Sequence, residues 1–252
     1  MGSCPIPTHV GRTLVIISDV HVGAEEHAER EFDEALRWVK DEGALLLANG
    51  DLADNSIASG KAPGEKLLGQ KLWPTEQAKI VCEKLKPFAK KGKLIGIVRG
   101  NHEARTRREA LFDLCEFSAY TLEVPYLGVG GYHRFNAGSQ QYTIAVQHGR
   151  SGAANGFTEC ERMMKLYPQA ELVALGHNHH LASRKVYGIG LAKDGTEELR
   201  EVWQCRTGSF LRYAEYVREM VLTPQRMGCP IVRFDPKQHE IKVDIDTLSW
   251  GL

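Results

Sequence analysis

Thr13–His21 has the sequence TLVIISDVH, an apolar run followed at once by polar residues. Its first five residues are apolar or β-branched, which is typical of a strand buried in a sheet. Asp19 and His21, residue types that bind metal ions or move protons, come directly after that run. Ligands of α/β sheets bind at the carboxyl ends of the strands, so this stretch predicts an α/β fold with its functional site at one edge.

The same order of segments continues along the first half of the chain. Helix-like and strand-like segments alternate there, at residues 25–41, 44–48, 75–90, 94–98 and 104–117. After residue 121, short strand candidates surround one helix-like segment at 159–167; they lie at 132–135, 141–147, 171–175, 185–189, 198–205, 231–234 and 240–245. This change predicts a layered α/β domain with two packed sheets.

The chain has 252 residues, of which 42% are hydrophobic and 25% are charged, an ordinary globular composition. It contains no internal repeat and no low-complexity segment. Asn55–Gly69 is rich in glycine, serine and lysine and predicts an insertion close to the functional site. We therefore expect a single domain over residues 1–252 with an insertion near 55–74.

Charge and cysteine usage exclude several classes of protein. Lys plus Arg number 32 and Asp plus Glu number 32, which excludes a strongly basic nucleic-acid-coating protein and an acidic tail. No apolar run approaches the roughly 18 residues of a membrane helix, and the first residues lack the pattern of a signal peptide. The six cysteines are scattered, which favours reduced thiols. We expect a cytoplasmic protein without a membrane partner; its oligomeric state stays open, with a homodimer among the alternatives.

Polar fragments follow five of the strand candidates, usually beside a glycine. They are Asp19-Val20-His21, Gly50-Asp51-Leu52-Ala53-Asp54, Gly100-Asn101-His102-Glu103, His148-Gly149 and Gly176-His177-Asn178-His179. Glycine permits the sharp turns and close backbone approach that an ion site at a strand end requires. We expect the five fragments to meet at one edge of the fold.

These fragments contain seven residues of metal-ligand type: Asp19, His21, Asp51, Asn101, His148, His177 and His179. Seven ligands are too many for one tetrahedral zinc ion but suit two ions that share a bridging carboxylate. Mixed nitrogen and oxygen ligands favour manganese, iron, zinc or nickel over magnesium or calcium. The sequence therefore predicts two divalent transition-metal ions, with manganese preferred.

The five fragments in this order resemble the calcineurin-like metallophosphoesterase superfamily from residue 13 to about residue 180. The resemblance implies a four-layer α/β/β/α sandwich of two mixed sheets. It implies a first ion on Asp19, His21 and His179, a bridging Asp51, and a second ion on Asn101, His148 and His177. Beyond residue 180 the likeness is general, although Thr207-Gly208-Ser209 fits a backbone turn that closes the site.

The resemblance also implies the catalytic roles. His102 would not be a ligand but would face the substrate as proton donor or charge stabiliser, and Asp54 would accept a hydrogen bond from it. Two cations about 3.5–4 Å apart acidify a bridging water and hold phosphate oxygens in line for attack. The expected reaction is hydrolysis of a phosphate ester by a metal-bridging hydroxide.

The residues around the fragments narrow the substrate class. Asn55-Ser56 follows Asp54, whereas Ser/Thr protein phosphatases and dinucleoside polyphosphatases of the superfamily have Arg-Gly there. The spacing of the fragments, together with Cys205–Phe210, is similar to that of phosphoesterases from phages and prophages. The chain also resembles the catalytic domain of double-strand-break repair nucleases. These likenesses favour a phosphodiesterase or nuclease acting on nucleic acid or nucleotides.

A basic run lies near the fragments, with nine Lys or Arg residues against one acidic residue between Lys84 and Arg108. Arg105, Arg107 and Arg108 come just after His102 and are candidates for binding the phosphates of DNA or RNA. A solvated helix face explains the run equally well. The alternative functions are a phosphomonoesterase, for protein or small-molecule substrates, and a non-catalytic scaffold that binds a partner.

Overall fold

The computed structural model describes residues 5–57, 72–150, 156–191, 194–212 and 224–251. Five helices lie within these ranges: α1 Glu29–Glu42, α2 Pro74–Lys90, α3 Glu103–Ala110, α4 Leu114–Leu122 and α5 Thr158–Leu166. The strands are β1 Thr8–Val10, β2 Thr13–Ile17, β3 Leu45–Asn49, β4 Leu94–Val98, β5 Gly131–Ala137, β6 Gln140–Gln147, β7 Leu172–Leu175, β8 Leu181–Leu191, β9 Glu197–Thr207, β10 Met227–Gly228, β11 Ile231–Phe234, β12 Ile241–Asp244 and β13 Ser249–Trp250.

The strands form two large mixed sheets and one short pair. The five-stranded sheet has the order β12-β11-β2-β3-β4, in which β2, β3 and β4 are parallel. The six-stranded sheet has the order β1-β5-β6-β7-β9-β8, in which β6, β7 and β9 are parallel. Strands β10 and β13 pair with each other in antiparallel fashion. Each large sheet therefore has a parallel centre whose strands share one carboxyl edge.

Alternate side chains of β2 show how the layers stack. Val15 and Ile17 pack among α1, α2 and α4 on the outer face of the five-stranded sheet. Leu14 and Ile16 point the other way and pack against residues of the six-stranded sheet. The outer face of that second sheet packs against α5, where Met163 is buried. The layers are thus helix, sheet, sheet, helix, which confirms the expected α/β/β/α sandwich.

The continuous helix expected at 104–117 is wrong, because two helices occupy this region. Helix α3 ends at Ala110, because the next residue, Leu111, has a left-handed φ of 54° and cannot continue the helix. Helix α4 begins after Asp113, whose carboxylate accepts hydrogen bonds from the backbone N–H groups of Cys115 and Glu116. The break allows α3 to lie beside the functional site while α4 packs on the sheet.

Several expectations concern residues at the limits of the described chain. Most of the insertion near 55–74 lies outside it, since residues 58–71 are not described. The five described cysteines are buried free thiols, and Cys4 lies outside the described residues. None of the helices in the described ranges is both long and apolar enough to cross a membrane.

His133 on β5 provides a pH test of the fold. It is buried and stacks on His9, and burial lowers the pKa of His133 to about 4, below the ordinary value of 6.5. Between these two values the unfolded chain binds more protons, so acidification from about pH 6.5 towards pH 4 should reduce the free energy of unfolding, by up to about 3 kcal/mol from this group. Urea titrations of EDTA-treated protein should show a shallower pH dependence for His133→Gln than for wild type. Parallel curves would show that His133 does not contribute.

Candidate metal centre

The structure brings all seven predicted metal ligands to the edge where the two sheets meet. Those of the five-stranded sheet follow its three parallel strands: Asp19 and His21 after β2, Asp51 after β3 and Asn101 after β4. Those of the six-stranded sheet follow β6 and β7: His148, His177 and His179. The candidate centre therefore depends on both sheets, because neither sheet supplies the complete set.

The ligand atoms form three clusters, each with its atoms within 4.8 Å of one another. The clusters are Asp19 with His21 and His179, Asp51 with His148 and His177, and His21 with Asp51 and His102. The first two contain residues that were expected to share an ion. Asp51 belongs to two clusters, a position suited to a bridging carboxylate. Because His102 lies in the third, its exclusion from the ligand set stays a prediction.

Short distances connect the members of each cluster. His179 Nε2 lies 3.4 Å from Asp19 Oδ1, and His148 Nε2 lies 3.1 Å from Asp51 Oδ2. Asn101 Oδ1 lies 3.1 Å from the same His148 nitrogen. The oxygen and nitrogen atoms of Asp51, Asn101 and His148 thus converge on a small volume.

Four buried atoms of the predicted ligands have no hydrogen-bond partner among the described residues. They are Asp19 Oδ1, His21 Nδ1, His21 Nε2 and His177 Nδ1. A buried polar atom without a partner costs about 1–3 kcal/mol, so native proteins retain such atoms where a ligand satisfies them. The mixture of imidazole nitrogens and carboxylate oxygens is the donor set of transition-metal ions. The residues therefore fit divalent metal ions.

The remaining atoms of the ligands are held by hydrogen bonds that direct the free atoms inward. His148 Nδ1 lies 2.7 Å from the Asn49 carbonyl, to which it donates, and this leaves Nε2 for a metal ion. Ser18 Oγ donates to the same carbonyl at 3.1 Å and also to Asp19 Oδ2. The backbone N–H of His177 donates to Asp19 Oδ2 at 3.0 Å. Asp19 Oδ1 is consequently the oxygen left for coordination.

The backbone at the site adopts conformations that L-residues rarely occupy. Six of the eight non-glycine residues with positive φ in the described chain lie here: Asp19, His21, Asp51, Asn55, His177 and His179. Such conformations cost of order 1–3 kcal/mol each and cluster at functional sites, where the surrounding structure holds them. Gly100 is required because a Cβ there would lie 2.1 Å from Asp51 Oδ1. The fold holds these backbones in place at the cost of local strain.

Charge and burial set the protonation of the ligands. Burial alone would raise the pKa of Asp51, but nearby His148 and His102 hold it well below its ordinary value. Burial lowers the pKa of His21 to about 4, so its imidazole is neutral near pH 7, as a metal ligand must be. Burial would also lower the pKa of His148, but Asp51 and Asp19 raise it to about 10. A cation bound by these carboxylates would compete with the proton on His148.

His102 lies beside the ligands with both ring nitrogens engaged. Nδ1 is 2.6 Å from the main-chain carbonyl of Asp54, whereas the Asp54 carboxylate oxygen is 3.4 Å away. Asp54 therefore contacts His102 more closely through its main-chain carbonyl than through the carboxylate that was expected to orient it. Arg105 Nη2 lies 2.8 Å from His102 Nε2, and Arg105 Nη1 donates to the Asp54 carbonyl at 3.0 Å. Arg105 thus stands next to the candidate proton donor.

The basic run is divided in the structure between the two ends of β4. Lys93 precedes β4 and Arg99 follows it, so the lysines and the arginines lie at opposite ends of that strand. Arg99 is paired with Asp113 at 3.2 Å. Arg107 and Arg108 are exposed on α3, close to the site, and their role in substrate binding stays a prediction.

Glu103, to which the sequence analysis gave no role, is buried and organises two of the ligand loops. Its carboxylate accepts hydrogen bonds from the backbone N–H groups of Asp51, Leu52, Ala53 and Gly100, at 2.7–3.2 Å. Burial and the neighbouring Asp51 raise the pKa of Glu103 to about 7. The position of Glu103 in the fragment Gly100-Asn101-His102-Glu103 is the sequence signal that could have identified it. Its hydrogen-bond partners are backbone groups, which a pattern of residue types does not reveal.

Arg206 performs a similar task for the loop after β7. It is completely buried and donates to Asn178 Oδ1 at 2.9 Å and to the Gly176 carbonyl at 2.6 Å. These bonds fix the loop that carries His177 and His179. The following turn lies against the site, since the Phe210 N–H donates to the Asp19 carbonyl at 3.0 Å.

Comparison with known proteins identifies a matching protein family and several solved structures with a similar fold. The sequence model of the family described as calcineurin-like phosphoesterase matches residues 12–181, about two thirds of the chain. No functionally curated protein matches the chain significantly.

Three solved structures with a similar arrangement share 13–17% sequence identity with the chain. A predicted phosphoesterase from Streptococcus pneumoniae TIGR4 has 14% identity and a TM-score of 0.39, covering 92% of this chain and 88% of its own. The phosphoesterase Yfce from E. coli has 17% identity and a TM-score of 0.44, with 92% and 98% covered. Vps29 from Entamoeba histolytica, solved with Zn²⁺, has 13% identity and a TM-score of 0.42, with 92% and 97% covered.

The role of Glu103 can be tested with a neutral variant. Glu103→Gln would turn an amide N–H₂ towards backbone donors, and we expect the free energy of unfolding to fall by about 2 kcal/mol and metal affinity to fall with it. Urea unfolding and titration with Mn²⁺ measure the two effects. Glu109→Gln, at an exposed carboxylate on the same helix, is the matched control. Equal stability and metal affinity of the two variants would contradict the proposed role of Glu103.

Proposed function

This chain belongs to the calcineurin-like phosphoesterase family, and from that premise we propose that it is a metal-dependent phosphodiesterase acting on nucleic acid or nucleotides. Two divalent ions would bind at the candidate centre. Asp19, His21 and His179 would hold the first, and Asn101, His148 and His177 the second. Asp51 would bridge them.

The observation that carries the proposal is the completeness of the candidate ligand set. Asp19, His21 and His177 have side-chain atoms without a hydrogen-bond partner among the described residues, and Asp51 belongs to two of the three clusters, one of them with His102. Maintaining such atoms and the strained backbone around them is costly unless cations are bound. This arrangement therefore supports a metal-dependent activity.

When bound, divalent ions lower the pKa of water and neutralise negative charge on a phosphoryl group. The chain's own residues would then orient the ester and assist the leaving oxygen. His102 Nδ1 is fixed on the Asp54 carbonyl, so the imidazolium form of His102 would donate the proton on Nε2 to that oxygen. We propose that the substrate phosphate draws the Arg105 guanidinium away from His102 Nε2 and thereby frees it.

The residue after Asp54 favours a phosphodiester substrate over a phosphomonoester. Asn55 stands where protein phosphatases of the superfamily carry arginine, and its side chain is turned back onto the protein. Its Nδ2 donates to the His102 carbonyl at 2.7 Å, and its backbone N–H donates to Gln77 Oε1 at 2.8 Å. The site therefore has no arginine at this position to hold the third oxygen of a monoester.

Metal-free and reconstituted protein test the activity. We expect protein loaded with Mn²⁺ to hydrolyse bis-p-nitrophenyl phosphate faster than p-nitrophenyl phosphate and to lose activity with EDTA. His102→Ala should keep both metal ions and lose about 10²–10⁴-fold in kcat, the usual contribution of a positioned acid. Asp51→Asn should instead lose metal, measured by elemental analysis.

Two results would contradict the proposal. One is the absence of turnover with manganese, iron, zinc or nickel on a panel of DNA, RNA, cyclic nucleotides and phosphomonoesters. The other is a consistent preference for monoesters, which would favour the phosphomonoesterase. If His102→Ala lost a metal ion and Asp51→Asn did not, the roles given to these two residues would be wrong.

A further inference from the structure

A cleft of about 400 Å³ opens directly beside the candidate ligands Asn101 and His148. Its volume lies within the roughly 300–1,000 Å³ of small-molecule sites. Helix α5 supplies one wall through Arg162, Met163 and Leu166. None of these α5 residues belongs to a metal-binding fragment of the sequence. The cleft therefore extends from the candidate ligands Asn101 and His148 to residues of α5 that are not candidate ligands.

The floor and lip of the cleft are apolar. Met163 and Leu175 are each 3% exposed and form its buried part. Val129 and Leu166 are 61% and 64% exposed, so two large apolar side chains face solvent at its mouth. Exposed apolar side chains that border a concave surface favour contact with a ligand. A flat ring placed over Met163 and Leu166 would cover this surface.

The charges around the cleft favour an anion. Arg99 is paired with Asp113, and Glu159 faces the buried Arg206 at 3.4 Å, so neither contributes a free charge. For the guanidinium groups of Arg150 and Arg162, no carboxylate lies within 4 Å among the described residues. Both arginines are exposed at the cleft. The lining thus combines an apolar surface with two cationic groups.

We propose that this cleft binds a nucleotide unit of the substrate, with its base against Met163 and Leu166 and a second phosphate on Arg150 and Arg162. The inference rests on the proposed function, because it positions a substituent of the ester beside the candidate ions. A second phosphate is present in an oligonucleotide and absent from a cyclic mononucleotide. The cleft therefore favours an oligonucleotide, with its chain extending across the face of α5.

Binding of 2′-deoxythymidine 3′,5′-bisphosphate to the full-length protein loaded with Mn²⁺ tests the proposal. Isothermal titration calorimetry should show binding weakened about tenfold in Arg150→Ala/Arg162→Ala, because two charge-assisted contacts are lost. Thymidine 5′-monophosphate, which lacks the second phosphate, should bind that variant about as well as it binds wild type. Leu166→Asp, at an exposed position, should weaken both nucleotides and leave inorganic phosphate unchanged.

Lys90→Ala/Lys91→Ala is the control, because these exposed lysines lie at the other end of β4. It should bind both nucleotides as wild type does. Equal binding of the bisphosphate by wild type, the double arginine variant and Leu166→Asp would overturn the cleft assignment. Because this experiment measures binding and not turnover, it tests the cleft assignment separately from the phosphodiesterase proposal.

Discussion

The carbonyl of Asn49 is the contact on which the candidate centre depends, because it joins the two sheets at their shared edge. It accepts hydrogen bonds from His148 of the six-stranded sheet and from Ser18 of the five-stranded sheet. The Asn49 side chain adds a third connection, donating to the Gln147 carbonyl at 3.0 Å. At this junction His148 Nε2 lies 3.9 Å from Asp19 Oδ1, so candidate ligands from the two sheets share one centre.

The layers and the meeting of the seven candidate ligands at one edge could be predicted from the sequence, for a physical reason. Ligand chemistry allows few residue types, and parallel strands such as β2 and β3 deliver the residues that follow them to one edge. The candidate ligands around Asp19, Asp51 and His177 can therefore be identified from a few consecutive residues in each fragment. The continuous run of apolar side chains along β2 likewise indicates burial on both faces.

Other features depended on contacts that only the folded chain creates. Glu103 and Arg206 form hydrogen bonds with backbone groups of loops that are distant in the sequence. Such contacts leave no pattern in the order of the side chains. The break between α3 and α4 depends on a left-handed Leu111, a conformation with no sequence signal in a leucine. The division of the basic run depends on β4, which separates Lys93 from Arg99 by its full length.

The central claim is that the junction of the two sheets binds two divalent ions. Crystals grown with Mn²⁺ and measured at the manganese absorption edge test it most directly, through an anomalous difference map. The account predicts two peaks, one among Asp19, His21 and His179 and one among Asn101, His148 and His177, with Asp51 between them. A single peak, or peaks away from these residues at saturating Mn²⁺, would contradict it.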